Sequence, residues 1–155
     1  MKKPVIFFAS LLILLIALGV PIFGQEKYTP KPNEELYGTW VNDKMNEKMV
    51  MNPDGSFADY YPASYNKPYQ GGKSEIFKKW TDSEGNVFYN TYVTIIFGSP
   101  GYKTQDLCKV SKSGTVLEMQ WVGVSDFGPE KFPSAFDAKT QSEIMGYFIY
   151  YRAKE

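Results

Sequence analysis

The chain contains no histidine. That removes the commonest general base and the commonest transition-metal ligand of proteins. Its one cysteine, Cys108, has no imidazole to activate it, so a papain-type thiol nucleophile is excluded. A single cysteine also forbids an internal disulfide, and an exported domain of this kind must then be held by its core. Free cysteine is among the most buried residue types, which places Cys108 inside a strand as a small apolar side chain. Charge of one sign is lacking as well: 17 basic and 17 acidic side chains cancel, and no block of like charge stands out. Nucleic acid therefore has no electrostatic footprint here. No glycine loop suited to cradling phosphate occurs, since Gly71-Gly72 and Gly98-Ser99-Pro100-Gly101 read as turns. Asp54 and Asp126 lack the oxygen-ligand spacing of a calcium loop. No internal repeat is present, and neither a metal nor a cofactor is expected.

Only one long apolar run occurs, and it is N-terminal. Lys2 and Lys3 precede an uncharged stretch of 20 residues, Pro4 to Phe23, followed by Gly24 and polar sequence. A basic start, an apolar centre and a small residue before polar chain are the parts of a secretory signal. Pro21 breaks the helix before the expected cut after Gly24, which assigns residues 1–24 to a signal peptide. The alternative is an uncleaved anchor, because about 20 apolar residues also suffice to span a bilayer. Cleavage leaves 131 residues, with 15 basic against 17 acidic side chains and a net charge of −2. That is one domain's worth of chain, long enough to bury a real core. The expected layout is a polar lead-in over 25–32 and a single domain over 33–155, monomeric, exported to the periplasm or the extracellular space, and not bound to membrane after cleavage.

What the chain has in quantity is β-forming residues, with aromatics alone at 17%. Tyr, Phe, Val, Thr and Ile suit a pleated, half-buried surface. Eight strands are predicted, at 37–42, 45–51, 56–61, 74–81, 87–97, 104–111, 115–122 and 146–152. Asn52-Pro53-Asp54-Gly55, Asp82 to Asn86 and Lys112-Ser113-Gly114 separate them as turns. Alternation is clearest in the seventh, where Leu117, Met119 and Trp121 share one face and Glu118 and Gln120 the other. Met49 and Met51 share a face of the second. The fifth is apolar on both faces over part of its length, which suits a central strand or a barrel with its outside covered. Asn33 is placed to cap a helical turn over 34–37. Residues 123–144 form a long connection holding Phe127, Phe132 and Phe136, with a second short helix expected from a Ser134 cap. Its aromatics argue against disorder. The resulting fold class is all-β: a single antiparallel up-and-down barrel.

Several short pieces resemble the lipocalin-like members of the calycin superfamily, small bacterial ones in particular. They are Leu36-Tyr37-Gly38-Thr39-Trp40 near the start, the Met51 to Phe57 hairpin, the Val110 to Met119 hairpin, and Tyr150-Tyr151-Arg152 at the end. The resemblance spans about residues 33–152. It implies a barrel whose closed end is signed by Gly38, Trp40 and Arg152. The physics of such an end is independent of the family. A large flat side chain must plug it, Gly38 lets the entering chain pass close beneath, and Arg152 can lie over the indole face. The chain departs from the family in having no disulfides and no further motif after the sixth strand. It also has no room over 43–48 for the two helices of the fatty-acid-binding branch, so no ligand is carried over.

An eight-stranded barrel has an interior that side chains fill or that holds one small ligand. The expected activity is non-covalent binding of a small apolar or amphipathic molecule, with Met49, Met51, Leu117, Met119 and Trp121 as the inner wall. Methionine suits an adaptable pocket because its side chain is flexible and polarizable. Two alternatives stand beside it. In one the barrel is filled solid and Tyr60, Tyr61, Tyr65 and Tyr69 meet a partner. In the other, more distant, strand carboxylates do enzymatic work, but Glu75, Asp106 and Glu118 are each expected on a solvated outer face, and no catalytic residue is assigned.

Overall fold

A computed structural model describes residues 28–154. The signal or anchor reading of residues 1–24 lies outside the described residues. Eight strands run β1 (Gly38–Asn42), β2 (Glu47–Met51), β3 (Ser56–Tyr60), β4 (Gln70–Thr81), β5 (Val87–Phe97), β6 (Lys103–Val110), β7 (Val116–Val124) and β8 (Met145–Arg152). Each pairs antiparallel with its neighbour in sequence, and β1 pairs with β8, so the sheet closes into an up-and-down barrel. The seam between β1 and β8 is short: Trp40 lies opposite Arg152 and Val41 opposite Tyr151.

The turn signals act as the sequence suggests. Gly55 takes φ 80° in the β2–β3 turn, and the Asp54 carboxylate accepts from Ser56 N and Oγ at 2.8 and 2.6 Å. Most strand ends shift by one to four residues from expectation, and four differences have a clear physical reason. Strand β2 starts at Glu47, not at 45, because Asn46 adopts φ 54° in the β1–β2 turn, which extended chain cannot. Gly71 and Gly72 are not a turn. They lie within β4 at a register shift against β5, and a Cβ on Gly72 would collide with the Thr94 carbonyl. The glycines are there for close backbone approach. Near the N-terminus, Asn33 caps nothing. A turn closes from Tyr37 N to Glu34 O at 3.0 Å, and the Glu34 side chain supplies the local acceptor, for Lys31 N at 2.8 Å. Nor does Ser134 start a helix. The one short helix of that connection is a 3₁₀ turn, η1 (Pro129–Lys131), where Pro sits in the first turn.

The 125–144 connection straps the outside of the barrel. Phe132 stacks on Phe77 of β4 and Tyr92 of β5, with ring centroids 5.5 and 5.1 Å apart. Phe127 packs on Tyr92 at 4.6 Å and Phe136 on Phe88 at 6.4 Å. Two glutamines pin the strap. Gln105 donates Nε2 to Gly128 O at 2.7 Å and accepts from Gly128 N at 2.8 Å, while Gln120 Oε1 accepts from Asp137 N at 3.1 Å. This covering is why β4 and β5 carry apolar residues on both faces, and why Gln105 and Gln120 are buried although they point away from the interior.

The interior core runs from Leu36 and Trp40 through Met49, Met51, Phe57, Ile76, Tyr89, Val93 and Ile95 to Cys108, Val110, Leu117, Met119 and Tyr150. Cys108 is free and buried, and burial raises its thiol pKa. It is a core side chain.

Candidate functional site

The two ends of the barrel differ. At one end sit the tight β2–β3, β4–β5 and β6–β7 turns and the incoming N-terminal chain. Trp40 is fully buried there, donating Nε1 to Leu36 O at 2.8 Å. The Arg152 guanidinium lies 4.0 Å from the Trp40 ring centroid. It donates to three backbone carbonyls: Nε to Gly114 at 3.0 Å, Nη1 to Tyr37 at 2.5 Å and Nη2 to Glu35 at 2.6 Å. Gly38 has φ 128°, and a Cβ there would strike Arg152 Nη1. An ionic knot lies alongside. Lys79 Nζ contacts Glu34 Oε2 at 2.6 Å and Glu35 Oε2 at 2.8 Å, and the Tyr89 hydroxyl donates to Glu35 at 2.5 Å. Burial pushes the Glu35 carboxyl up, but the hydrogen bonds from Lys79 and Tyr89 outweigh it and hold it down at about 2. This end is sealed.

At the other end the interior opens into a cavity of about 400 Å³. Met45, Tyr69 and Tyr102, each more than one-third exposed, stand at its mouth with Ser99 and Glu143. Below them the wall combines Met49 and Met51 of β2, Phe57 of β3, Val93 and Ile95 of β5, Met119 and Trp121 of β7, and Phe148 of β8. Trp121 stacks parallel to Phe148 at 6.4 Å and meets Tyr102 edge-on at 6.3 Å. Four of the five wall residues named from sequence alone thus border one space. Leu117 does not: it is wholly buried in the core cluster instead.

The wall also holds polar groups that sequence reasoning missed. Glu47 of β2 is buried and accepts the hydroxyls of Tyr69 at 3.0 Å and Tyr150 at 2.9 Å. Asp59 of β3 is 7% exposed and takes Gln70 Nε2 on Oδ2 at 2.9 Å. Asp106 of β6 is 4% exposed, with Thr91 Oγ1 at 3.5 Å from Oδ2. Burial, and then the neighbouring Glu47 charge, raise the Asp59 carboxyl to about 7 against the pull of Gln70. Burial also raises Asp106 to about 7, helped by the Asp59 charge and opposed by Thr104 and Thr91. The placing of Asp106 corrects the sequence reading, which put it on the solvated face. Strand β6 is buried on both sides, so its alternation does not reveal which face is inner. Glu75 is exposed, and Glu118 pairs with Lys109 at 2.7 Å on the outer surface. Glu47 and Asp59 were legible in principle, since Glu47 shares parity with Met49 and Met51, and Asp59 with Phe57.

The four tyrosines do not form one platform. Tyr69 belongs to the cavity mouth through Glu47, and Tyr61 leans edge-on against it at 6.4 Å. Tyr60 lies under Lys48 Nζ at 4.1 Å on the outer face of β3, and Tyr65 is 57% exposed. Among the described residues no group of three or more Asp, Glu, His or Cys side chains is arranged to hold a metal ion, and no helix is long and apolar enough to cross a membrane.

The fold and site together define an eight-stranded antiparallel barrel, sealed at one end and hollow toward the other. Comparison with family models, with curated proteins and with solved structures finds no match for this chain.

Proposed function

We propose that this protein is an exported, lipocalin-like carrier that binds a small amphipathic molecule non-covalently inside its barrel. The observation that supports this reading is the cavity of about 400 Å³, bordered by Met49, Met51, Met119 and Trp121. Its size falls in the range of small-molecule sites, roughly 300–1,000 Å³, and its mixture of apolar wall and a few placed polar groups is what such sites carry. The sealed end explains why a ligand would enter from the Tyr69–Tyr102 side.

A carboxylate-based enzyme is the second reading, and it draws on the buried pair Asp59 and Asp106. Acid–base work by two carboxyls needs environments that push their pKa values apart. Here burial raises both, so binding is the better supported use of the space.

The test uses the neutral fluorescent probe N-phenyl-1-naphthylamine. Saturable binding with quenching or a shift of tryptophan emission is expected, and Trp121→Phe should remove most of that response while the fold persists. Met119→Trp should abolish probe binding with little loss of stability, because the cavity accepts the added volume. In a solid core the same enlargement costs about 1–3 kcal/mol. No saturable binding, together with strong destabilisation by Met119→Trp, would favour the filled barrel.

Export belongs to the same reading. Intact mass measurement of protein recovered from its native envelope or medium is expected to show a chain beginning at or near Gln25. A full-length chain released only by detergent would replace export with anchoring.

A further inference from the structure

Resting on the carrier reading, we infer that the ligand carries a protonated amine on an apolar body, and that Asp59 and Asp106 receive that cation. Three buried polar atoms on the cavity wall have no protein partner among the described residues: Asp59 Oδ1, Ser74 Oγ and Asp106 Oδ1. They come from β3, β4 and β6, and both aspartates are more than nine-tenths buried. A buried acceptor left unpaired costs free energy, more so when it is charged. Two on one wall, both carboxyl oxygens, are therefore matched to donors brought by something else. Two further acids, Glu47 and Glu143, border the same space, and no Lys or Arg among the described residues does. An anionic ligand would meet only like charge. A neutral hydrocarbon would bury the carboxyls further and give them nothing. A cation on an apolar body satisfies the acids, covers the methionine and aromatic wall, and gains from the faces of nearby rings such as Trp121 and Phe148.

Glu47 is the less available receptor, because both its oxygens already accept tyrosine hydroxyls. The free valences belong to Asp59 and Asp106. The groups that bear on them are Glu47 from β2, Tyr69 ahead of β4, Cys108 from β6 and Tyr150 from β8, with Tyr102 and Glu143 at the mouth. Burial raises the carboxyls of both aspartates to about 7. An incoming ammonium therefore meets carboxyls that are partly protonated at neutral pH. On binding, the O–H proton leaves to solvent and the carboxylate takes an N–H donor in its place, so affinity should rise with pH across this region.

Octylamine, octanol and octanoate share one chain and differ in head charge. Each is titrated against the full mature chain loaded with N-phenyl-1-naphthylamine. At pH 8 octylamine is expected to displace the probe at least about tenfold more tightly than octanol, the size of one charge-assisted hydrogen bond. Octanoate should be the weakest. At pH 5.5, where octylamine is still protonated but the aspartates are neutral, the amine advantage should shrink several-fold. Asp59→Asn and Asp106→Asn should each reduce the octylamine-to-octanol affinity ratio at pH 8 and weaken its dependence on pH. The wild-type pH series needs no variant, so it stands if either substitution impairs folding. Equal binding of octylamine and octanol at pH 8, or tighter octanoate, overturns the inference and leaves the carrier reading intact. Failure of the probe and of all three ligands to bind overturns both.

Discussion

Trp40→Ala is expected to cost about 3–5 kcal/mol, the range for truncating a buried aromatic, and to leave the barrel marginal. Its indole is fully buried at the sealed end, so truncation opens a void where the core cannot easily collapse. Three further losses arrive with it. Leu36 O loses the Nε1 donor at 2.8 Å, Arg152 loses the ring face 4.0 Å beneath it, and one of the two residue pairs closing the β1–β8 seam is weakened. The seam matters because it is the shortest join in the sheet and the only one between distant parts of the sequence. Trp40→Phe, which keeps the volume but not the donor, should lose markedly less. Equilibrium denaturation in urea checks both. An Ala variant within about 1 kcal/mol of wild type, the ordinary surface-mutation scale, would show that Trp40 does not hold this end closed.

Stability should also fall as pH rises from about 5 to 8, opposite to the behaviour of a protein whose carboxylates are all salt-bridged. The sign follows from proton counting. Asp59 and Asp106 are raised to about 7 in the folded chain, whereas an unfolded aspartate titrates near 4. Between those values the folded state binds more protons, so stability declines with pH through that window. Glu34 and Glu35 act the other way, since both are lowered, Glu35 to about 2. Their contribution is present above about 4.5 and disappears as pH falls toward 2, which places the stability maximum near pH 4–5. The loss between pH 5 and 8 is on the order of a few kcal/mol, or a melting temperature lower by roughly 5–10 °C. The double variant Asp59→Asn/Asp106→Asn should flatten that limb and melt above wild type at pH 8. A wild-type melting temperature that holds or climbs from pH 5 to 8 would mean that the two acids are not buried as described.

The strands were legible because their signals are local. Pro53-Asp54-Gly55 and Asp82 to Asn86 mark turns by their own backbone preferences, and Leu117-Glu118-Met119-Gln120-Trp121 shows its faces because one side is apolar and the other is not. Alternation also placed Met49, Met51, Met119 and Trp121 on the inner side. The glycine-tryptophan opening and the late arginine suggested a sealed end, although only the folded chain brings Arg152 over Trp40 across more than one hundred residues of sequence.

Where both faces of a strand are buried, that local signal disappears. Strand β6 reads Lys103-Thr104-Gln105-Asp106-Leu107-Cys108-Lys109-Val110, and its outer face is buried because the 125–144 strap lies across it. Leu107 therefore points out and Asp106 in, the reverse of what hydrophobicity suggests. Gly71-Gly72 looks like a turn for a related reason: its purpose is contact with Thr94 O on another strand, which no local rule contains. The sequence by itself determined an all-β chain of eight strands with a methionine- and tryptophan-bearing inner face. Only the tertiary structure decided that the interior is hollow and acidic, because cavity volume and the partners of a buried carboxyl depend on what the distant strands bring opposite it.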